Sequence, residues 1–178
     1  MQPKKVSDSA TTMTQMVMPN DTNPLGNLMG GNLLRWMDIA ASICAGKHSA
    51  CYVVTASVDH VSFKLPIHMG EVVTMVATIT RSFHTSMEIY VEVFATDIKG
   101  NNTRRCNHAY YTFVALDDNR QKPVPVPAVL PLTAEEEKNY EEAQKRREFR
   151  LLLSGRINAQ QAEEIRNYLN RFIDDAKG

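Results

Sequence analysis

The chain has 178 residues, enough for one well-buried core, and its 20 Lys and Arg balance 20 Asp and Glu. That balance leaves no whole-chain field to draw nucleic acid, an anionic membrane surface or a cationic partner, so any basic site must be local. Cys44, Cys51 and Cys106 fit neither a disulfide framework nor a four-cysteine zinc site, and no stretch approaches the roughly 20 apolar residues of a membrane span, so a soluble protein of the reducing cytoplasm is expected.

Residues 11–18, TTMTQMVM, alternate polar and apolar side chains well enough for a half-buried strand that Pro19 ends. PNDTNPLGNLMGG, residues 19–31, concentrates turn formers and predicts a shaped loop. In NLLRWMDIAASICAG, residues 32–46, Leu33, Trp36, Met37, Ala40, Ala41 and Cys44 recur at helical steps. This predicts a helix buried along one side, with Gly46 as its stop and His48 beyond its end. Arg35 and Asp38 are polar breaks in that segment.

Four stretches rich in Val, Thr, Ile, Tyr and Phe follow at 52–63, 71–81, 87–97 and 105–116, separated by turn residues. Short turns make the last three antiparallel neighbours, and one long helix to cover the sheet completes an α+β pattern. KPVPVPAVLP, residues 122–131, leaves the sheet as an extended connector, because repeated prolines block helix and central-strand pairing. Thr133 with Glu136 reads as a capping box that opens a charged helix to about residue 153. A second helix over 159–176 sets Ile165, Leu169, Phe172 and Ile173 on one side. The expected organisation is a body over 1–121, a connector over 122–132 and a C-terminal helical extension over 133–178.

No GxGxxG, Walker loop, GxSxG elbow or HExxH occurs, which removes support for hydride transfer, nucleotide hydrolysis and serine hydrolysis. His48, His60, His68, His84 and His108 are scattered without ligand spacing, and no metal is assigned. The block from Pro19 to His48 resembles the hotdog-fold acyl-CoA thioesterases of the cytosolic, brain-type acyl-CoA hydrolase family. The resemblance continues through VSFKLPIHMGE, RSFHTSMEIYVEV and KPVPVP. Its most specific part is DTNPLGNLMGG followed by LLRWMDIAA, a loop, a glycine pair and a helical aspartate at fixed spacing.

That resemblance implies a helix wrapped by a curved antiparallel sheet, two protomers joined edge to edge, and active sites at the dimer interface. It further implies a homo-oligomer, a hexamer built as a trimer of dimers, that hydrolyses acyl-CoA to free acid and CoA without metal or redox cofactor. No nucleic-acid or membrane partner is implied. Asp38 matches the catalytic carboxylate and Asn23 its partner from the opposite protomer, so a lone protomer should be inactive.

The residue chemistry agrees. Thioester hydrolysis needs an activated water or an attacking carboxylate while negative charge grows on the carbonyl oxygen. Asp38 suits general base or nucleophile, with general base preferred, and Asn23 could orient the water or bond the carbonyl oxygen. Gly30 and Gly31 sit where the helix begins, so their N–H groups and the positive helix end could face the oxyanion, with Gly31 the candidate donor and Gly30 near the substrate. Arg81, Thr85 and Ser86 match the segment that contacts CoA in such proteins, and a guanidinium with hydroxyls suits phosphate; Lys64 and Arg104 are further candidates. Without the resemblance, Asp38 reads equally as a solvated carboxylate or a partner of Arg35, Asn23 as a turn residue, and Arg81 as an exposed hairpin arginine. A sensor that binds acyl-CoA without turnover is the competing function, and a hydroxyacyl dehydratase would want a histidine beside the helix.

Overall fold

The computed structural model of the protein describes residues 1–175, with side chains through residue 170. In chain order it contains β1 (Lys4–Lys5), β2 (Thr11–Met16), α1 (Gly30–Ser49), β3 (Tyr52–Phe63), β4 (Val72–Ser82), β5 (Ser86–Thr96), β6 (Arg104–Leu116), β7 (Val129–Leu130), α2 (Ala134–Leu153) and α3 (Glu163–Asp175). The main sheet is antiparallel throughout and ordered β2-β4-β5-β6-β3. The fold is therefore α+β, as the residue pattern predicts.

The helix α1 forms because its apolar residues fall on one side at helical spacing, and Leu33, Trp36, Met37, Ala40, Ala41 and Cys44 are all buried. Ala40 and Ala41 are wholly buried, and their small side chains let the sheet close on the helix. The sheet answers with strict alternation: Val73, Met75, Ala77 and Ile79 of β4 are buried, while Val72, Thr74, Val76 and Thr78 between them are half-buried. Each large side chain so buried contributes about 1.5–3 kcal/mol to folding.

Several expectations need correction. Gly46 does not stop α1, which runs to Ser49 and ends at Ala50 in the left-handed region at φ 55°. That end is held from outside the helix, since Lys4 Nζ donates to the carbonyls of Lys47 at 3.0 Å and His48 at 2.7 Å. His48 lies in the last turn, fully buried, with Nε2 2.9 Å from the carbonyl of Pro127, and burial holds its pKa below the ordinary value. The prolines at 122–131 do not carry the connector clear of the sheet: Val124 and Val126 donate to the carbonyls of Ala115 and His84 at 3.0 and 3.1 Å. β1 and β7 then form a short parallel pair that the sequence did not announce.

The chain divides into two compact units, Met1–Leu130 and the segment from Pro131 onward. In the second, Thr133 Oγ1 accepts from the Glu136 N–H at 3.2 Å while Glu136 Oε2 accepts from the Thr133 N–H at 3.1 Å, closing the capping box that opens α2. α3 begins at Glu163 rather than at 159. Asn158 Oδ1 accepts from the N–H groups of Gln160 and Gln161, making a turn, and Glu148 Oε2 takes the N–H groups of Glu164 and Ile165 at 2.9 and 3.2 Å. The predicted side-chain stripe at Phe172 and Ile173, and the predicted end at Ala176, lie outside the described residues. Among the described residues no helix is long and apolar enough to cross a membrane.

Candidate active site

Asp38 occupies the third turn of α1, half-buried, on the side that meets β3. Thr55 Oγ1 donates to its Oδ1 at 2.7 Å, a well-formed hydroxyl hydrogen bond. One carboxylate oxygen is thereby oriented, and among the described residues no hydrogen bond holds the other. No ion pair joins Asp38 to Arg35. Behind the pair, the Tyr111 hydroxyl bonds the carbonyl of Leu34 at 3.2 Å. Burial pushes the Tyr111 phenol well above its ordinary pKa, and the Asp38 charge adds to the effect.

Asn23 sits in the loop before α1 with both ends of its role fixed by geometry. Its Oδ1 accepts from the N–H groups of Leu25 at 3.0 Å and Asn27 at 3.2 Å, closing an Asx turn. The acceptor is consumed by the loop, so what Asn23 presents outward is the Nδ2 donor. The loop returns to the helix start, where Met29 N–H and Asn32 Nδ2 donate to the carbonyl of Asp21 at 2.9 and 3.3 Å.

No side chain caps α1. At Gly30 an added Cβ would come within 3.2 Å of the Phe63 ring, so a side chain there would make that exposed ring shift by a few tenths of an ångström. Gly31 differs. It is exposed, its φ is not positive, and an added Cβ would meet nothing within 4 Å. Two glycines in a first turn cost about 1 kcal/mol each relative to alanine, and nothing within the chain requires the second.

These groups do not converge within one chain. Seven helical residues set Gly31 and Asp38 about 10 Å apart along the axis, and no hydrogen bond links Asn23 to Asp38 among the described residues. Arg81 is the last residue but one of β4, with its guanidinium carbon 5.7 Å from the Phe83 ring centre, and Thr85, just before β5, and Ser86, its first residue, are half-buried. Their carbonyls accept from Ala115 and Phe83 at 3.0 and 2.7 Å. Because β6 and β5 stand between β3 and β4, this turn lies roughly 10–14 Å across the sheet from Thr55. Arg104 is committed elsewhere: it bonds Glu71 at 2.6 and 2.7 Å and the carbonyl of Pro66 at 2.9 Å, which removes it as a phosphate ligand.

Thr55 is the residue that sequence reasoning passed over. Threonine is an ordinary strand former, and only the pairing of β3 with β6 brings it over Asp38. Among the described residues no three His, Cys, Asp or Glu side chains are grouped to hold a metal. Burial pushes the Cys44 thiol up to about 11, which leaves it an inert core group.

Residues 25–100 match the family model described as the thioesterase superfamily. The chain is similar to an uncharacterised acyl-CoA thioester hydrolase of Bacillus subtilis, 40% identical over 72% of this chain and 74% of that protein. Among solved structures it is similar to an apo-hexameric acyl-CoA thioesterase, with TM-score 0.82, 38% identity and coverage of 86% and 98% of the two chains. It is also similar to an acyl-CoA hydrolase of Staphylococcus aureus in complex with butyryl coenzyme A, coenzyme A and coenzyme A disulfide, with TM-score 0.79, 35% identity and coverage of 94% and 98%. Variants of that hydrolase carry alanine in place of an asparagine, an aspartate and a threonine, spaced along its chain at the same intervals as Asn23, Asp38 and Thr55 here. With that similarity over most of both chains, the protein belongs to the thioesterase superfamily, among its hotdog-fold acyl-CoA hydrolases.

Proposed function

We propose that the protein hydrolyses acyl-CoA to a free acid and CoA, with Asp38 as general base and the site completed by a second copy of the chain. The observation that carries this reading is the 2.7 Å bond from Thr55 to Asp38. It orients a carboxylate at the edge of the sheet in a chain of this family. Asp38 takes a proton from water as the water oxygen bonds the thioester carbon. Nδ2 of Asn23 and the N–H of Gly31, both from the second protomer, hold the negative charge that grows on the carbonyl oxygen. The C–S bond then breaks, and the proton passes from Asp38 to the departing thiolate.

The cross-protomer arrangement rests on three facts. Gly31 and Asp38 of one chain are too far apart to touch the same carbonyl, the amide donor of Asn23 has no partner among the described residues, and Gly31 lacks a side chain that its own chain would accommodate. β3 is the edge through which the second copy joins: among the described residues it pairs only with β6, and Val54 and Val58 on it are 46% and 41% exposed. Arg81 with Thr85 and Ser86 is the proposed contact for the CoA phosphates, and Gly30 gives the substrate room beside Phe63. The assembly is read as a hexamer, the location as cytoplasmic, the role as fatty acid metabolism, and residues 1–121, 122–132 and 133–178 as body, connector and extension.

The test is thiol release from short, medium and long acyl-CoAs by the native protein, Asp38→Ala and Asn23→Ala. Each variant should lose a hundredfold or more, on the order of an oxyanion donor or a general base. Mixing the two inactive variants under subunit exchange should restore part of the activity, because some interfaces then hold one intact site. Binding of acyl-CoA without turnover by the native protein would favour the sensor instead.

A further inference from the structure

The loop that carries Asn23 is laid against a second segment, residues 66–71. Where the loop begins, Val17 N–H donates to the carbonyl of Glu71 at 2.9 Å, and Gly70 N–H donates to the carbonyl of Val17 at 2.9 Å. Where it ends, Met69 N–H donates to the carbonyl of Gly26 at 3.1 Å, Leu28 N–H donates to the carbonyl of Ile67 at 2.7 Å, and Asn27 bridges His68. The turn between these ties closes on Asn23 itself. Asn23 N–H donates to the carbonyl of Asn27 at 2.8 Å, and Gly26 N–H donates to that of Asn23 at 2.9 Å. The Asx turn therefore fixes the Asn23 amide within the loop, while residues 66–71, together with the bonds from Met29 and Asn32 to Asp21, fix where the loop stands.

Segment 66–71 lies in no helix or strand, Pro66 has no N–H, and Gly70 stands at φ 84°. A side-chain grip holds it. Arg104, the first residue of β6, donates to Glu71 Oε1 and Oε2 at 2.6 and 2.7 Å and to the carbonyl of Pro66 at 2.9 Å. Glu71 Oε2 also accepts from the His68 N–H at 2.7 Å. One bidentate pair thus fastens both ends of the segment and its middle to the sheet. The fastened residues are Pro66, His68 and Glu71, and the loop of Asn23 leans on Ile67, His68, Met69, Gly70 and Glu71.

We propose that Arg104 and Glu71 are positioning residues for Asn23: by clamping residues 66–71 they set where its Nδ2 donor stands, and so serve the half of each shared site that the Asn23-bearing protomer supplies. The inference rests on the thioesterase reading above and on its cross-protomer site. A misplacement of about 1 Å at a group that must meet a reacting atom costs about a hundredfold in rate. Loosening the pair spoils the Asn23 that a chain gives to its partner and spares the Asp38 that it gives. A general loss of folding would spoil both.

The experiment is steady-state kinetics and subunit mixing with Arg104→Met, on whichever acyl-CoA the native protein turns over best, with exchange followed by two affinity tags. Arg104→Met should lower kcat about 10- to 100-fold with little change in KM. Mixed with Asp38→Ala it should recover about a quarter of native activity, because random exchange makes half the dimers mixed and each mixed dimer holds one intact site of two. Mixed with Asn23→Ala it should recover nothing beyond its own residual activity. Arg104→Lys keeps the charge but loses the two-pronged grip, so it should fall between the native protein and Arg104→Met, and it serves the same mixing should the methionine variant not fold. Unchanged kcat in the folded variant, equal recovery with both partners, or recovery with neither overturns this inference alone, provided that Asp38→Ala and Asn23→Ala recover activity together. Failure of that control pair after exchange overturns the shared site, and no turnover of any substrate by the native protein overturns the thioesterase reading; either result takes this inference with it.

Discussion

The carboxylate proposed as general base is held by one hydroxyl. Removing Thr55 with valine keeps the strand-forming shape but deletes the donor to Asp38, and a hydrogen bond to a charged group is worth roughly 1.5–3 kcal/mol. Thr55→Val should therefore lower kcat about 10- to 100-fold with little change in KM, read from steady-state kinetics. A change in KM alone would mean that Thr55 contacts substrate instead. A second residue-scale prediction concerns acid. The Arg104 guanidinium holds the Glu71 carboxyl below its ordinary value of 4.5, helped by the His68 N–H. A depressed folded pKa contributes stability above the unfolded value and loses it as pH falls through the folded one. The melting-temperature gap between native protein and Glu71→Gln should thus be widest near neutrality and close as pH drops below 4.5. The sequence offered Asp38, Asn23 and the glycine pair as candidates because they lie within one short block. Thr55 and the Glu71–Arg104 pair were not, because only strand register brings residues 17 and 33 positions apart together.

At the scale of elements, β-branched and aromatic runs located the four long strands to within a residue or two, and helical spacing found α1. The ends of helices were less legible. Gly46 looked like a stop, yet the last turn continues because Lys4, 43 and 44 residues away, supplies the donors its carbonyls need. The true terminus is Ala50, exposed and left-handed at φ 55°, a conformation that glycine adopts without the strain an alanine Cβ brings. Ala50→Gly should raise stability by about 0.5–1 kcal/mol, seen as a higher melting temperature with unchanged kinetics. A lower melting temperature would show that the Ala50 methyl packs against something that outweighs the strain. α3 moved for a similar reason: its first N–H groups are met by Glu148 of α2, a partner the local sequence does not name.

For the whole molecule, the sequence supplied the fold class and the family, but not where β3 lies. It could have followed its chain neighbour β4, and instead it sits at the opposite side of β6 with an open edge. Lysine on such an edge opposes strand addition. Val58→Lys should shift the native assembly toward single chains in light scattering and abolish activity in parallel, with far-UV circular dichroism retained. Activity that survives in a dissociated chain would overturn the shared site. The same strand order constrains events during synthesis. β3 leaves the ribosome well before β6, and Thr55 meets its register partner Phe113 only after most of the first unit has been made. Until then β3 has neither edge paired, and a strand left open during synthesis is prone to wrong pairing, so copies growing side by side on one messenger meet through β3 before β6 can cover it.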